Sequence, residues 1–502
     1  MTDAPQETLV IESHAIESPR DLRCAFQDLD LRVDAVEVRA DHWKESFATL
    51  AELLIGCQRP VIATVRARAE GGEFAGTEEE RKKAIETLSR AARWVDLEHS
   101  AAIQPALDAR CRRIVSYHDR SGTERDLSGV LEAMHESHPD AFFYKIATTP
   151  RSADDLLALL DLRRRRSLRA AFMGMGQRGI VTRALAKKLG SAAVYCRSPS
   201  RKPTAPGQIS SRDILDQFRL HRQTPATSVY AVVGRPIGHS LSPLLHNAGF
   251  ARLGLDAVYV PIELDTFDEV MRLADRLEIA GLSVTLPFKE EAALRCLQGS
   301  GTLDVHASRT KAVNTLLCQD RRWSGWNTDG IGFLEALRRG APNLSLRGAR
   351  ALIVGAGGAA RAAAFTLTQE GAEVHVKSRT QERAGALAAE LKIHACESVA
   401  TTDACAVPSF DLIVNATPCG MAPDLERSVV PSSSLSPGQF VLDMVYRPRR
   451  TRLLREARER GAVAIEGLEM FLEQAMAQFK LFTGMEAPRD EWRRLLESAL
   501  ID

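Results

Sequence analysis

The 502-residue chain has no run of about 18 consecutive apolar residues, and its start, MTDAPQETLV, lacks a basic segment followed by an apolar one. Both absences argue against a membrane-spanning or exported protein. No CxxC pair occurs among the nine cysteines, an odd and scattered set that fits a reducing compartment better than a disulfide framework or a zinc site. We therefore expect a cytoplasmic protein that needs no metal. Charge imbalance is missing too: 66 basic residues face 65 acidic ones, so no global field exists to grip nucleic acid or an anionic membrane. Any anion recognition must be local. There is no internal repeat and no low-complexity tract. What remains, 45% hydrophobic and 26% charged residues, is the composition of a globular chain, and its length predicts about three domains.

Over residues 1–222, short β-branched runs alternate with charged helical stretches. TLVIES (8–13), VDAVEVRAD (33–41), PVIATVRAR (60–68), RWVDLE (93–98), RRIVSYHD (112–119), AFFYKIAT (141–148), LRAAFMGM (168–175) and AAVYCRS (192–198) read as eight strands. That order predicts a (β/α)₈ barrel with its chemistry at the strand C-termini. A helix is expected near 211–221, and the polar RQTPATS (222–228) reads as a linker. A second α/β pattern begins at VYAVVG (229–234). Within it, ARALIVGAGGAARAAAFTL (349–367) is a strand, a glycine turn and a helix, followed by strands AEVHVKS, FDLIVNAT and QFVLDMVY. Closing helices over 466–500 are expected to return to the earlier part of this second half.

Glu37, Arg39 and Asp41 alternate, so they share one face of a strand, either as an outward salt-bridging stripe or as a ligand clamp. Arg66 and Arg68 repeat the pattern on the next strand, ahead of Glu70-Gly71-Gly72. His118 ends its strand, where its near-neutral titration suits proton transfer or where it simply fills a loop. Lys145 stands inside the apolar run AFFYKIA: desolvation there favours a nucleophilic amine, unless the head snorkels to water.

Taken in order, Glu37-x-Arg39, Arg66 with Glu70-Gly71-Gly72, Ser116-Tyr117-His118-Asp119, Lys145-Ile146-Ala147, Met173-Gly174 with Arg183, and Ala205-Pro206-Gly207-Gln208 resemble type I 3-dehydroquinate dehydratase over about residues 1–220. The resemblance implies that Lys145 forms an imine with the substrate ketone and that His118, supported by Glu70, is general acid and base. It also implies that Glu37, Arg39, Arg66, Arg183, Thr204 and Gln208 hold the substrate. Thr204 stands where the family usually has serine, and the hydroxyl survives.

In the second half, Gly355, Ala356, Gly357, Gly358 and Ala359 lie between a strand and a helix, the flanks that a pyrophosphate-binding turn requires. The end of the next strand, Lys377-Ser378-Arg379-Thr380, is basic where NAD binders place an acid, which favours NADP. Ser240-Leu241-Ser242-Pro243, Ser283-Val284-Thr285-Leu286-Pro287-Phe288-Lys289, Ala312-Val313-Asn314-Thr315 and Asn327-Thr328-Asp329-Gly330 gather hydroxyls and amides suited to a polyol, though each alone more often serves as a turn or cap.

With Asn415-Ala416-Thr417-Pro418, Tyr446-Arg447-Pro448 and Gly467 through Gln474, these segments resemble shikimate dehydrogenase over residues 228–502. That implies a catalytic pair of Lys289 and Asp329. Ser240, Ser242, Thr285, Asn314 and Gln474 would bind substrate, and Asn415, Thr417 and Gly467 would join the glycine turn and Ser378-Arg379-Thr380 around NADP(H). Two departures from the family are Ser283 and Ser378, where relatives commonly carry asparagine. The expected architecture is a barrel (1–222), a substrate-binding domain (228–335 with 466–502) and a Rossmann NADP-binding domain (336–465). The two resemblances name consecutive steps, 3-dehydroquinate to 3-dehydroshikimate to shikimate. Alternatives are a quinate-type dehydrogenase and a ligand sensor that has lost turnover.

Overall fold

The computed structural model describes residues 7–500 apart from 102, 165–166, 300 and 397–409. The β-branched runs of the first half form eight parallel strands: β1 (Leu9–Ala15), β2 (Ala35–Arg39), β3 (Val61–Thr64), β4 (Trp94–Glu98), β5 (Arg112–Asp119), β6 (Phe143–Thr148), β7 (Ala170–Gly174) and β8 (Ala193–Arg197). They lie in the order β7-β6-β5-β4-β3-β2-β1-β8. Among the described residues the ring closes without a ladder: the Ala192 N–H donates to the Ala170 carbonyl at 2.8 Å, and the Phe172 N–H to Ser191 Oγ at 3.1 Å.

Strand alternation divides the barrel interior by height. Ile11, Ala35, Ile62, Trp94, Ile114 and Phe143 pack into one apolar layer. Two residues further along each strand, on the same face, stand Ser13, Glu37, Thr64, Asp96, Ser116 and Lys145. The apolar layer holds the barrel shut, and the polar layer above it sits at the catalytic end that the fold prescribes.

Two strands are shorter than expected. β2 stops at Arg39, so Asp41 lies in a helical turn, Ala40–His42, where it remains buried against Arg39. β3 stops at Thr64, and Arg68 falls in the turn Arg68–Glu70 with its side chain exposed. The helix expected over 211–221 is instead a π-helical turn, Asp213–Gln217, and a 3₁₀ turn, Leu220–Arg222, interrupted by Arg219 in the left-handed region at φ 48°. The linker is tied down by Gln223, whose buried amide donates to the carbonyls of Ala184 and Phe218.

The chain forms two compact units: Met1–Ala231 with Arg235–Ser240 and Leu255–Ile279, and Val232–Gly234 with Leu241–Gly254 and Ala280–Asp502. The second sheet contains β9 (Ser228–Val233), β10 (Ala257–Ile262), β11 (Ile279–Val284), β12 (Thr315–Gln319) and β13 (Arg322–Trp326), in the order β10-β9-β11-β12-β13. The third contains β14 (Arg350–Val354), β15 (Glu373–Lys377), β16 (His394–Ala395), β17 (Leu412–Asn415), β18 (Phe440–Asp443) and β19 (Val463–Glu466). It is parallel throughout, in the order β16-β15-β14-β17-β18-β19. Its order reverses between β14 and β17, and open parallel sheets take ligands at such a point. Among the described residues, no helix is long and apolar enough to cross a membrane.

Candidate active sites

At the barrel's polar end, Glu37, Arg39, Arg66, Glu70, His118, Lys145, Arg183, Thr204 and Gln208 line one pocket. Lys145 is buried as expected, but in a charged nest rather than an apolar one. Its ammonium donates to Asp96 Oδ2 at 3.1 Å, approaches Glu37 Oε1 at 3.5 Å and lies 4.0 Å from the centre of the Tyr195 ring. Glu37 also accepts from Ser13 and, at 3.0 Å, from Thr64 Oγ1. Arg66 donates to Asp96 Oδ1 and to Ser116 Oγ, each at 2.9 Å.

These contacts bias several protonation states, and burial raises Glu70 itself, so the His118 tautomer they favour holds with Glu70 ionised. Burial pushes the Asp96 carboxyl up, but Arg66 and Lys145 outweigh it and hold the group below the usual carboxylate range. Burial, with Arg66 and Lys145 adding to it, holds His118 well below the ordinary 6.5, so its ring is neutral near pH 7. Its Nδ1 lies 3.0 Å from Glu70 Oε2. An ionised carboxylate only accepts, so the neutral ring carries its proton on Nδ1 and keeps Nε2 as the basic nitrogen. Glu70 is anchored in turn by Ser100 Oγ at 2.6 Å.

Arg183 is fully buried, donating to the carbonyls of Gly174 and Tyr195 at 3.0 and 2.9 Å. Among the described residues no carboxylate reaches ion-pair distance of it, and burial lowers it to about 10. A buried cation without a counter-charge is costly, and an anionic ligand relieves that cost. Thr204 Oγ1 lies 2.8 Å from Ser13 Oγ, while Gln208 accepts from the Thr204 and Ala205 N–H groups, so Gln208 shapes this loop as well as lining the pocket. Arg68 does not join. Asp96 and Glu98 were not singled out in the sequence, although WVDLE carries the same alternation that drew attention to Glu37 and Arg39.

In the second unit, Lys289 begins the helix Lys289–Gln298 and Asp329 begins the helix Asp329–Gly340. The Lys289 ammonium donates to Asp329 Oδ2 at 2.5 Å, and Asn314 Nδ2 donates to Asp329 Oδ1 at 2.8 Å. Asn314 is fixed by its own network: its Oδ1 accepts from the Thr328 N–H and from Thr315 Oγ1. Gln478, on the closing helix Gly467–Thr483, donates to the Asn314 carbonyl at 3.0 Å and accepts from Ser283 at 2.9 Å. Ser283, the departure from asparagine, therefore braces Asn314 through Gln478. The Gln474 carbonyl accepts from Thr328 Oγ1 at 3.3 Å. Thr285 donates its N–H to Val233, and Ser242 opens the helix Ser242–Arg252 and is buried. Ser240 ends the turn before that helix, its N–H bonded to the Ile237 carbonyl.

The glycine turn has the geometry that a dinucleotide needs. Gly355 sits at φ 128°, and a Cβ there would meet the Ala416 carbonyl oxygen at 2.7 Å. Gly357 caps the helix Gly358–Gln369 with no side chain over its first N–H groups, leaving Gly358, Ala359 and their neighbours to meet a phosphate. A Cβ on Gly358 would lie 3.8 Å from Lys289 Cδ, which places the catalytic candidate beside the turn. Arg379 and Thr380 are exposed at the end of β15, and the Thr380 N–H donates to Ser378 Oγ. Asn415 is saturated internally: it donates to Asp443 and the Cys419 carbonyl and accepts from the N–H and hydroxyl of Thr417. It organises the loop after β17 rather than offering its amide outward. Burial raises Asp443 to about 6. Gly467 packs tightly, since a Cβ there would meet the Asp443 carbonyl oxygen at 2.5 Å.

A barrel with a buried lysine beside an imidazole, followed by a Rossmann unit with a Lys–Asp pair at its glycine turn, defines a two-site enzyme of lyase-plus-reductase type. Residues 15–225 match the model of type I 3-dehydroquinase. Residues 232–316 match the shikimate dehydrogenase substrate binding domain, 337–443 the shikimate/quinate 5-dehydrogenase model and 467–497 the shikimate 5′-dehydrogenase C-terminal domain. The chain is 33% identical to the chloroplastic bifunctional 3-dehydroquinate dehydratase/shikimate dehydrogenase of Arabidopsis thaliana, over 93% of this chain and 80% of that one. It belongs to the family of bifunctional 3-dehydroquinate dehydratase/shikimate dehydrogenases. Its second half is 41% identical to the NADP(+) shikimate dehydrogenase of Natronomonas pharaonis, over 54% of this chain and 99% of that one. It also superposes on a crystal structure of shikimate dehydrogenase in complex with NADP+ with a TM-score of 0.51 at 32% identity, covering 56% of this chain and 98% of that one.

Proposed function

We propose that the chain dehydrates 3-dehydroquinate at Lys145 and reduces the resulting 3-dehydroshikimate to shikimate with NADPH. The observation that carries this reading is the one pocket holding Lys145, a neutral His118 and Arg183, which meets no carboxylate among the described residues. The Lys145 amine adds to the ketone and loses water, giving an iminium that acidifies the neighbouring C–H bond. His118 Nε2 takes that proton and returns it to the departing hydroxyl, which leaves as water; hydrolysis of the imine frees the product. Arg183 holds the substrate carboxylate, with Glu37, Arg39, Arg66, Thr204 and Gln208 around the hydroxyls.

In the second half of the chain, NADPH held at the glycine turn would supply hydride. Lys289, oriented by Asp329, donates the proton that the developing alkoxide requires. Asn314, Thr285, Gln474, Ser240 and Ser242 orient the polyol. Gly355 to Ala359, Ser378, Arg379, Thr380, Thr417 and Gly467 form the cofactor cradle, with Asn415 holding Thr417 in place. The domains in this reading are 1–222, 228–335 with 466–502, and 336–465, in a cytoplasmic protein. The test is purified chain with 3-dehydroquinate and NADPH: shikimate forms and NADPH is consumed. Faster turnover of quinate with NAD would replace the second assignment, and absence of both reactions would leave a ligand sensor.

A further inference from the structure

The two imidazoles at the edge of the third sheet stand apart from both active sites. Glu373 and His375 are two residues apart on β15, hence on one face. β15 pairs in parallel with β16, in the register His375↔His394 and Val376↔Ala395, so His394 lies beside His375 on that same face, and Cys396 follows His394 by two. The His375 and His394 rings stack with centroids 4.8 Å apart, and Cys396 Sγ lies 3.9 Å from His375 Nδ1. One ligand atom from each of Glu373, His375 and His394 lies within 4.8 Å of the other two. Ligands of a tetrahedral zinc ion stand about 3.4 Å from one another, so small rotations of these side chains suffice.

We propose that Glu373, His375 and His394 form a binding site for a divalent transition cation of the zinc class. Two imidazoles and a carboxylate form a ligand set that suits such ions better than magnesium or calcium, which prefer oxygen. Two ligands at i and i+2 on one strand and a third on its neighbour present three donors, while Cys396 lies on the other, Nδ1, edge of His375 and outside the set. The groups facing the cluster are Arg350, whose Nε is 3.6 Å from Glu373 Oε1, Lys377, and the Phe410 ring edge-on to His375. The bond now joining His375 Nε2 and Glu373 Oε1 at 2.7 Å gives way when a metal takes both atoms as ligands. Three positions carry this site with no CxxC or HxxxH spacing, so the cysteine pattern is silent about it.

The test is titration of the chelator-treated full chain with Co²⁺, followed by visible and near-ultraviolet absorption. One equivalent is expected to give tetrahedral bands in the visible, and Zn²⁺ to bleach them. His394→Ala and, as a conservative second variant, His394→Gln should weaken uptake at least about tenfold. Shikimate formation by each variant verifies the fold. Bands that are absent, or equally strong in both variants, overturn the site.

Discussion

At Lys145 the ammonium is held by Asp96 and Glu37 in the pocket it shares with a neutral His118, and the roles separate by substitution. Lys145→Ala is expected to eliminate the borohydride-trapped adduct with 3-dehydroquinate, read by intact mass, while the chain still reduces 3-dehydroshikimate. His118→Asn should leave binding in place and lower the dehydration kcat about 10²- to 10⁴-fold. Arg183→Ala should raise the KM for 3-dehydroquinate about ten- to a hundredfold, the range of a charge-assisted hydrogen bond. Alternation groups Glu37 with Arg39 on one face of its strand but leaves open whether that face turns inward, so the pocket was legible through the family resemblance rather than through the period alone. Asp96 was equally readable and was overlooked. Arg68 misled because alternation holds only while the strand lasts, and nothing local marks the end of β3 at Thr64. The Lys289–Asp329 pair joins residues far apart in the chain, so it came from family resemblance and not from spacing.

Among the elements, the helix Ser242–Arg252 buries His246 against Phe250, Phe479, Phe482 and Trp492. Burial lowers the His246 ring from 6.5 to about 3. The unfolded chain takes up a proton near pH 6.5 that the folded one refuses, so stability is intact above that pH and falls as the solution is acidified towards about 3. The slope from this one residue approaches about 1.4 kcal/mol per pH unit within that window. Urea melts at pH 7 and pH 5 measure it, and His246→Phe should flatten the difference. β15 ends at the basic turn instead of at an acid, and Arg379→Ala is expected to raise the KM for NADPH about tenfold while leaving NADH kinetics nearly unchanged.

For the molecule as a whole, two folded units with separate chemistry predict that lesions complement one another. An equimolar mixture of Lys145→Ala and Lys289→Ala chains should convert 3-dehydroquinate to shikimate, whereas each alone stops at its own step, as chromatography of the products will read. The barrel closes between β7 and β8 through one backbone bond and one serine rather than a ladder. Arg183 also spans this gap, from the helix Ile180–Ala184 to the Tyr195 carbonyl. Such a seam is where the ring parts first, so its amides should trade hydrogen for deuterium sooner than those of β3 or β4. A carboxylate clasped by Arg183 then works like a bolt across a split hoop, slowing that exchange and letting the substrate stiffen the vessel that encloses it.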